Sequence, residues 1–226
     1  MTALLRYQTA LLLRSQRWLP PFLLYVVFLG IGVQGGQPLL DSLGWTAAVL
    51  LPTAAWLVRI CVMGEPPAAR TVVAAAAGPA RAHLAAVLTA LAAAVLLGTV
   101  ATAVVVFISD PVGADHQRRV PVPEAGAAGF LAALTCALLG TAVGALTASP
   151  VLRSTGRAVP ALLLGALLAL VVSGSPAHAA VTGLVTGSRS ATVGLPLLPL
   201  LPLAGAVLVT AAAVAAACAL TSRRSP

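Results

Sequence analysis

Residues 83–108 read HLAAVLTALAAAVLLGTVATAVVVFI, a run in which no lysine, arginine, aspartate or glutamate occurs. A helix that crosses a ~30 Å hydrocarbon layer needs roughly 20 such residues. The run therefore reads as a transmembrane helix, and it sets lipid as the solvent for the rest of the chain. Further apolar stretches flank it at about 19–35, 43–63, 125–148, 159–173 and 203–220, so the 226 residues hold about six spans with short connections. No room is left for a second folded domain. The fifth stretch, spent by Ser173, is short for a crossing unless it recruits part of the next segment.

Composition agrees. The chain is 60% apolar and 8% charged with a mean hydropathy of +1.03, whereas a soluble domain carries about 25% charged residues. None of its 13 basic residues is lysine. A phosphate-binding loop of the form G-x-x-x-x-G-K-[ST] needs an ammonium at the β/γ-phosphates, so any nucleotide that drives this protein is expected on another chain. The net charge of +8 is not a nucleic-acid signature, because no basic cluster is interleaved with aromatics. Cys61, Cys136 and Cys218 all fall inside apolar stretches and give no disulfide framework. Absence of lysine and asparagine beside abundant Ala, Arg, Gly and Pro suggests a GC-rich bacterial genome.

Outside the spans, two segments have a character of their own. Residues 1–17 set Leu4, Leu5 and Leu11–Leu13 among Arg6, Arg14 and Arg17, a pattern for an amphipathic helix lying in the interface; a frayed cytosolic tail is the alternative. The start lacks the uninterrupted apolar run and cleavage site of a signal peptide, so it is expected to be retained. Trp18 is placed as an interfacial anchor, and Pro20-Pro21 suits a first helical turn. Residues 174–202 are rich in Gly, Ser and Thr and then carry Pro196, Pro199 and Pro202. Two structures fit: a broken or re-entrant element in the outer leaflet, or a plain extracytoplasmic loop before one long kinked helix.

Arginine placement sets the orientation. With both termini cytosolic, every arginine except Arg118, Arg119 and Arg189 lies at the cytosolic side or its edge, which obeys the positive-inside rule. Asp41, Asp110, Asp115 and Glu124 then lie outside, and Glu65 is the one cytosolic acid. The expected location is a bacterial plasma membrane.

Several chemistries lose ground. No span carries an ionisable residue at its middle, where a proton- or sodium-coupled transporter would place its carboxylate; Arg59 sits near a cytosolic end and can snorkel. Ser173, Ser175 and His178 lack a G-x-S-x-G turn and an orienting carboxylate, so no catalytic residue is assigned. Asp110, Asp115, His116 and Glu124 match no common metal-ligand spacing, and Arg118-Arg119 would oppose a cation, so no metal is assigned. His83, beside Arg81, reads as a boundary residue.

One cytosolic segment is unlike filler: residues 64–84, GEPPAARTVVAAAAGPARAHL. An acid and two prolines precede an alanine-rich run that Gly78-Pro79 stops, which predicts a short helix at about 66–77. It is either a surface helix held parallel to the membrane or a simple connector.

Here the chain resembles the permease subunits of ATP-binding-cassette exporters of the second type, a six-span family that includes bacterial drug and antibiotic efflux transporters. In that family this loop reads as a glutamate, a Gly-Thr-like turn, a small-residue helix, then Pro, a small residue and Arg. Glu65, Thr71, Pro79 and Arg81 fall on the pattern; Arg70 stands where the glycine is expected, and the position near Leu88 is apolar where a basic residue is common. The resemblance implies that 66–77 is a coupling helix seated in a groove of a separate ATPase subunit that carries the ATP and Mg. Glu65, Arg70, Thr71, Gly78, Pro79 and Arg81 would form that interface, with residues 1–17 as a second contact. It also implies that spans two and five line the substrate path at a dimer axis, placing Thr53, Trp56, Leu163 and Leu167 near cargo.

Half-transporters of six helices do not enclose a path alone, so a homodimer or a pair with a sister permease is expected. Gly140-x-x-x-Gly144, with Ala94 and Gly98, permits close helix approach. The expectation is an all-α integral membrane protein: six transmembrane helices, an N-terminal interfacial helix, a coupling helix and a broken segment before the last span. An uncharged path suits a lipophilic or amphipathic cargo such as an antibiotic, peptide or lipid. The alternative is a non-transporting membrane scaffold or immunity protein.

Overall fold

The computed structural model describes residues 1–115, 119–148, 155–190 and 200–223. Expectations that fall on His116, Arg118, Arg153, Arg224, Pro196 and Pro199 lie outside the described residues. The described chain is helical: α1 (Thr2–Ser15), α2 (Leu19–Gly32), α3 (Leu39–Met63), α4 (Pro67–Ala77), α5 (Pro79–Ile108), α6 (Val122–Thr147), α7 (Thr155–Val171), α8 (Pro176–Ser190) and α9 (Leu200–Arg223). Among the described residues no strand forms; two isolated bridges pair Pro38 with Asp110 and Val112 with Arg119.

Proline and glycine punctuate these helices as local chemistry requires. α1 stops at Gln16, whose φ of 53° is left-handed, and α2 begins three residues later at Leu19 with Pro20 and Pro21 in its first turn, where their missing N–H groups cost nothing. α4 and α5 each begin on a proline, and Gly78 separates them at φ 87°, a conformation that favours glycine, while its N–H bonds the Ala74 carbonyl at 2.9 Å.

Four helices are long and apolar enough to cross a membrane: Leu39–Met63, Pro79–Ile108, Val122–Thr147 and Leu200–Ser222. A fifth crossing is available if Gly156–Val171 and Pro176–Arg189, bent by 50° at their break, act as one. The first expected span is a helix of only 14 residues, Leu19–Gly32, about 21 Å at 1.5 Å per residue. The chain is thus an all-helical protein with the makings of a multi-pass membrane protein. Its surface says the same: Phe107 (88% exposed), Leu201 (81%) and Leu208 (71%) stand on the outside of long helices, where only a lipid or protein neighbour satisfies them.

α3 and α6 form the centre of the bundle, with 61% and 67% of their apolar windows buried against 28% for α5 and 22% for α9. Glycine on α6 makes this approach possible. A Cβ at Gly140 would overlap the Leu51 carbonyl oxygen and lie 2.8 Å from Ala54 Cβ, and one at Gly144 would lie 2.7 Å from the Ala55 oxygen. Gly129 receives Leu43 and Gly98 on α5 receives Leu50 in the same way. The Gly140-x-x-x-Gly144 pair therefore serves packing within the chain. Hydroxyls buried in these helices return to the carbonyl one turn back, at 2.7 Å for Thr46 on Ser42, 3.0 Å for Thr53 on Val49 and 2.8 Å for Thr141 on Ala137. Such bonds satisfy these three hydroxyls inside the apolar bundle, whereas the Ser42 and Thr102 hydroxyls find no partner among the described residues.

At the Asp110 end the connections are knitted together by backbone bonds. Leu39 N donates to the Asp110 carbonyl and Asp110 N to that of Gln37, both at 3.1 Å, and Ala114 N reaches the Ser188 carbonyl at 2.9 Å. α8 is held at this end, with Leu184 and Val185 against Gly44 near the start of α3. Part of the segment expected to be broken, residues 176–190, is thus a helix folded off α7; the rest, 191–199, lies outside the described residues. α1, α4 and Glu65 occupy the opposite end.

Candidate functional site

Glu65 lies just beyond the end of α3, and its surroundings differ from those of a free surface carboxylate. The residue is only 7% exposed, and its Oε1 accepts a hydrogen bond from the Tyr7 hydroxyl of α1 at 2.9 Å. That bond, with burial and the carboxylate's charge, raises the Tyr7 phenol above its ordinary range. Arg70 does not pair with the carboxylate; its Nη2 donates to the backbone carbonyls of Val62 at 3.2 Å and Glu65 at 3.3 Å, fastening α4 back onto the end of α3. Thr71 bonds the Ala68 carbonyl at 2.8 Å. Glu65 and Arg70 thus work as a joint among α1, α3 and α4.

α4 packs on α5, and its far face is open at Val72, which is 68% exposed. Gly78, Pro79 and exposed Arg81 complete its junction with α5. The six residues expected at the partner interface are therefore gathered at one end of the bundle, with Glu65 buried, Arg70 and Thr71 at the side of α4 that meets the bundle, and Arg81 exposed.

Between α4 and the bundle lies a cleft of about 500 Å³. Glu65, Arg70, Thr71, Ala74 and Pro79 line it on one side, and Gln8 of α1 with Ala82 and His83 of α5 on the other. Gln8 is 3% and His83 8% exposed, and His83 Nε2 has no hydrogen-bond partner. Neither Tyr7 nor Gln8 stands out in the sequence. The signal available was that a lone acid close to a membrane needs a donor, and Tyr7 is a hydroxyl-bearing side chain of the amphipathic segment.

Arg59 is buried too, at 9% exposure, and its Nη1 reaches the Thr147 carbonyl at 3.5 Å, at the C-terminal end of α6. Its charge faces the negative dipole end of that helix. The residues expected beside cargo divide: Thr53 is buried within the bundle, whereas Trp56, Leu163 and Leu167 are exposed by 36%, 57% and 58%. The loop residues weighed for catalysis have structural uses. Ser175 Oγ accepts from Ala177 N at 3.3 Å at the start of α8, and His178 Nδ1 donates to the Leu170 carbonyl at 2.9 Å across the α7–α8 break. Among the described residues no three His, Cys, Asp or Glu side chains gather as a metal site would require. No protein-family model, curated protein or solved structure matches the chain.

Proposed function

We propose that the chain is the membrane-spanning permease subunit of an ATP-driven exporter of the second ATP-binding-cassette type, in a bacterial plasma membrane with both termini cytosolic. The observation that carries this reading is α4: a short helix between two long apolar helices, hinged at Gly78, clamped by Arg70 to the end of α3 and open on its far face. A lever needs those attachments. Force applied to α4 passes through Arg70 into α3 and through Pro79 into α5, and through the Tyr7–Glu65 bond into α1. In this reading α2, α3, α5, α6, α7 and α9 are six spans, α8 is a re-entrant element, and α2 crosses its short distance where the bilayer thins around it.

Two copies, or one copy and a sister permease, would face each other across Trp56, Leu163 and Leu167 and enclose an apolar path for a lipophilic or amphipathic cargo. ATP and Mg belong to the ATPase subunits, whose closure pushes the two α4 helices together. The test is purification from native membranes with an ATPase whose turnover rises on assembly. Val72→Asp on the open face of α4 should abolish that association and leave the thermal midpoint of the chain unchanged. A partner that is captured without any change in hydrolysis would favour the scaffold or immunity reading, and export restricted to small hydrophilic solutes would refute the cargo class.

A further inference from the structure

The cleft between α4 and the bundle has an unbalanced set of polar groups. Glu65 is more than nine-tenths buried, yet its carboxylate has one hydroxyl donor, from Tyr7, and among the described residues no ion pair. The guanidinium of Arg70 lines the same cleft, with its Nη2 held by the Val62 and Glu65 carbonyls. The Gln8 side chain, equally enclosed, lines the same cleft, and the His83 ring leaves Nε2 unpartnered. Buried polar groups in folded chains are nearly always satisfied, and a buried carboxylate with a single neutral donor is costly. Three elements thus bring a carboxylate oxygen, an amide oxygen and an imidazole to one cavity of about 500 Å³, a volume suited to a small ligand.

All three groups can accept, and an ammonium has three N–H donors to give. The chain has no lysine of its own to supply one. Around the polar cluster the wall is apolar and made of small side chains, Ala74 and Ala82 among them, which leaves room for a hydrocarbon body. We propose that this cleft binds the ammonium head of an amphipathic amine, with Glu65 as counter-ion, Gln8 and His83 as further acceptors, and the apolar body against the alanines of α4 and α5. The assignment goes beyond the transport reading and does not rest on it. Two sources carry the same chemistry: an aminophospholipid headgroup and a free amphipathic amine.

The experiment uses the full chain in phosphatidylcholine nanodiscs with tritiated dodecylamine as the probe. One saturable site per chain is expected, with Glu65→Gln weakening it at least about tenfold, the usual scale for losing a charge-assisted bond. The glutamine keeps an oxygen for the Tyr7 hydroxyl, so the joint stays closed. Ala74→Leu, which fills the cleft from α4 without touching the polar cluster, should also abolish saturable binding. Dodecanol should compete poorly and equally with wild type and Glu65→Gln. If phosphatidylethanolamine in the disc displaces the probe, the lipid headgroup is the natural occupant; if it does not, a free amine is. Either result supports the site. Absence of saturable binding to wild type, or equal binding to wild type and Glu65→Gln, overturns it. Such a failure leaves the ATPase partnership standing, because that is read by co-purification and not by amine binding.

Discussion

Replacing Gly140 by alanine tests the packing on which every other feature depends. A methyl group there overlaps the Leu51 carbonyl oxygen and comes to 2.8 Å from Ala54 Cβ, where carbon atoms ordinarily sit about 3.5–4.0 Å apart. Relief requires α6 to move about 1 Å away from α3 at this level. The obstacle is backbone, so no side-chain rotation can absorb the change, and the cost belongs at the upper end of the range for overpacking, about 3 kcal/mol. Alanine returns about 1 kcal/mol through its better helix propensity. The net destabilisation is about 2 kcal/mol, a shift of about 30-fold in the unfolding equilibrium, measurable by denaturant titration in mixed micelles. Gly144→Ala should behave alike, since its Cβ meets the Ala55 oxygen at 2.7 Å. The double variant should cost less than the sum, because the first displacement makes room for the second methyl. Gly30→Ala is the control: a Cβ there meets nothing within 4 Å, and the change should be neutral or slightly stabilising. If Gly140→Ala matches Gly30→Ala, the close approach of α3 and α6 is wrong.

Tyr7→Phe should loosen α1 from the α3–α4 joint by about 1 kcal/mol, seen as faster amide exchange confined to α1. The same bond gives a pH dependence: the phenol's folded-state pKa is raised, so its contribution is complete below the ordinary tyrosine value of about 10 and is lost as pH rises through the raised one. Alkaline titration should therefore free α1 in wild type and have no such effect in Tyr7→Phe. Arg59→Met should lower stability by about 1–2 kcal/mol through loss of the bond to the Thr147 carbonyl and of the charge at the negative end of α6, and Arg59→Lys should recover part of it; equal stability of all three chains would dismiss the capping role. Gly32→Ala should expel the Trp45 indole from the place where its Nε1 bonds the Phe28 carbonyl at 2.9 Å, shifting tryptophan emission, and an unchanged spectrum would count against that notch.

Much of the helical plan was legible in the chain. An apolar run such as 83–108 has no alternative to a helix once lipid is its solvent, because every N–H and C=O must be paired within the segment. Pro66-Pro67 and Gly78-Pro79 marked α4, expected at about 66–77 and found at Pro67–Ala77, since a missing N–H and a positive φ are local properties. The length of α2 was less legible: residues 19–35 are apolar almost throughout, yet the helix ends at Gly32, where the chain turns to meet α3. Apolar composition reports what tolerates lipid, not where a helix stops.

By itself, then, the sequence determined an apolar character suited to a lipid solvent, the helical class, the placing of short helices by proline and glycine, and the absence of lysine. Those are properties of single residues and of their neighbours along the chain. Only the tertiary structure decided that Gly140 and Gly144 face α3, that Arg59 turns to the end of α6, and that Glu65 is shut in with Tyr7, Gln8 and His83. The physical reason is that these pairings join residues far apart in sequence, 58 positions for Tyr7 with Glu65 and 88 for Arg59 with Thr147, and are selected by the register of packed helices. Hydropathy has no memory of register.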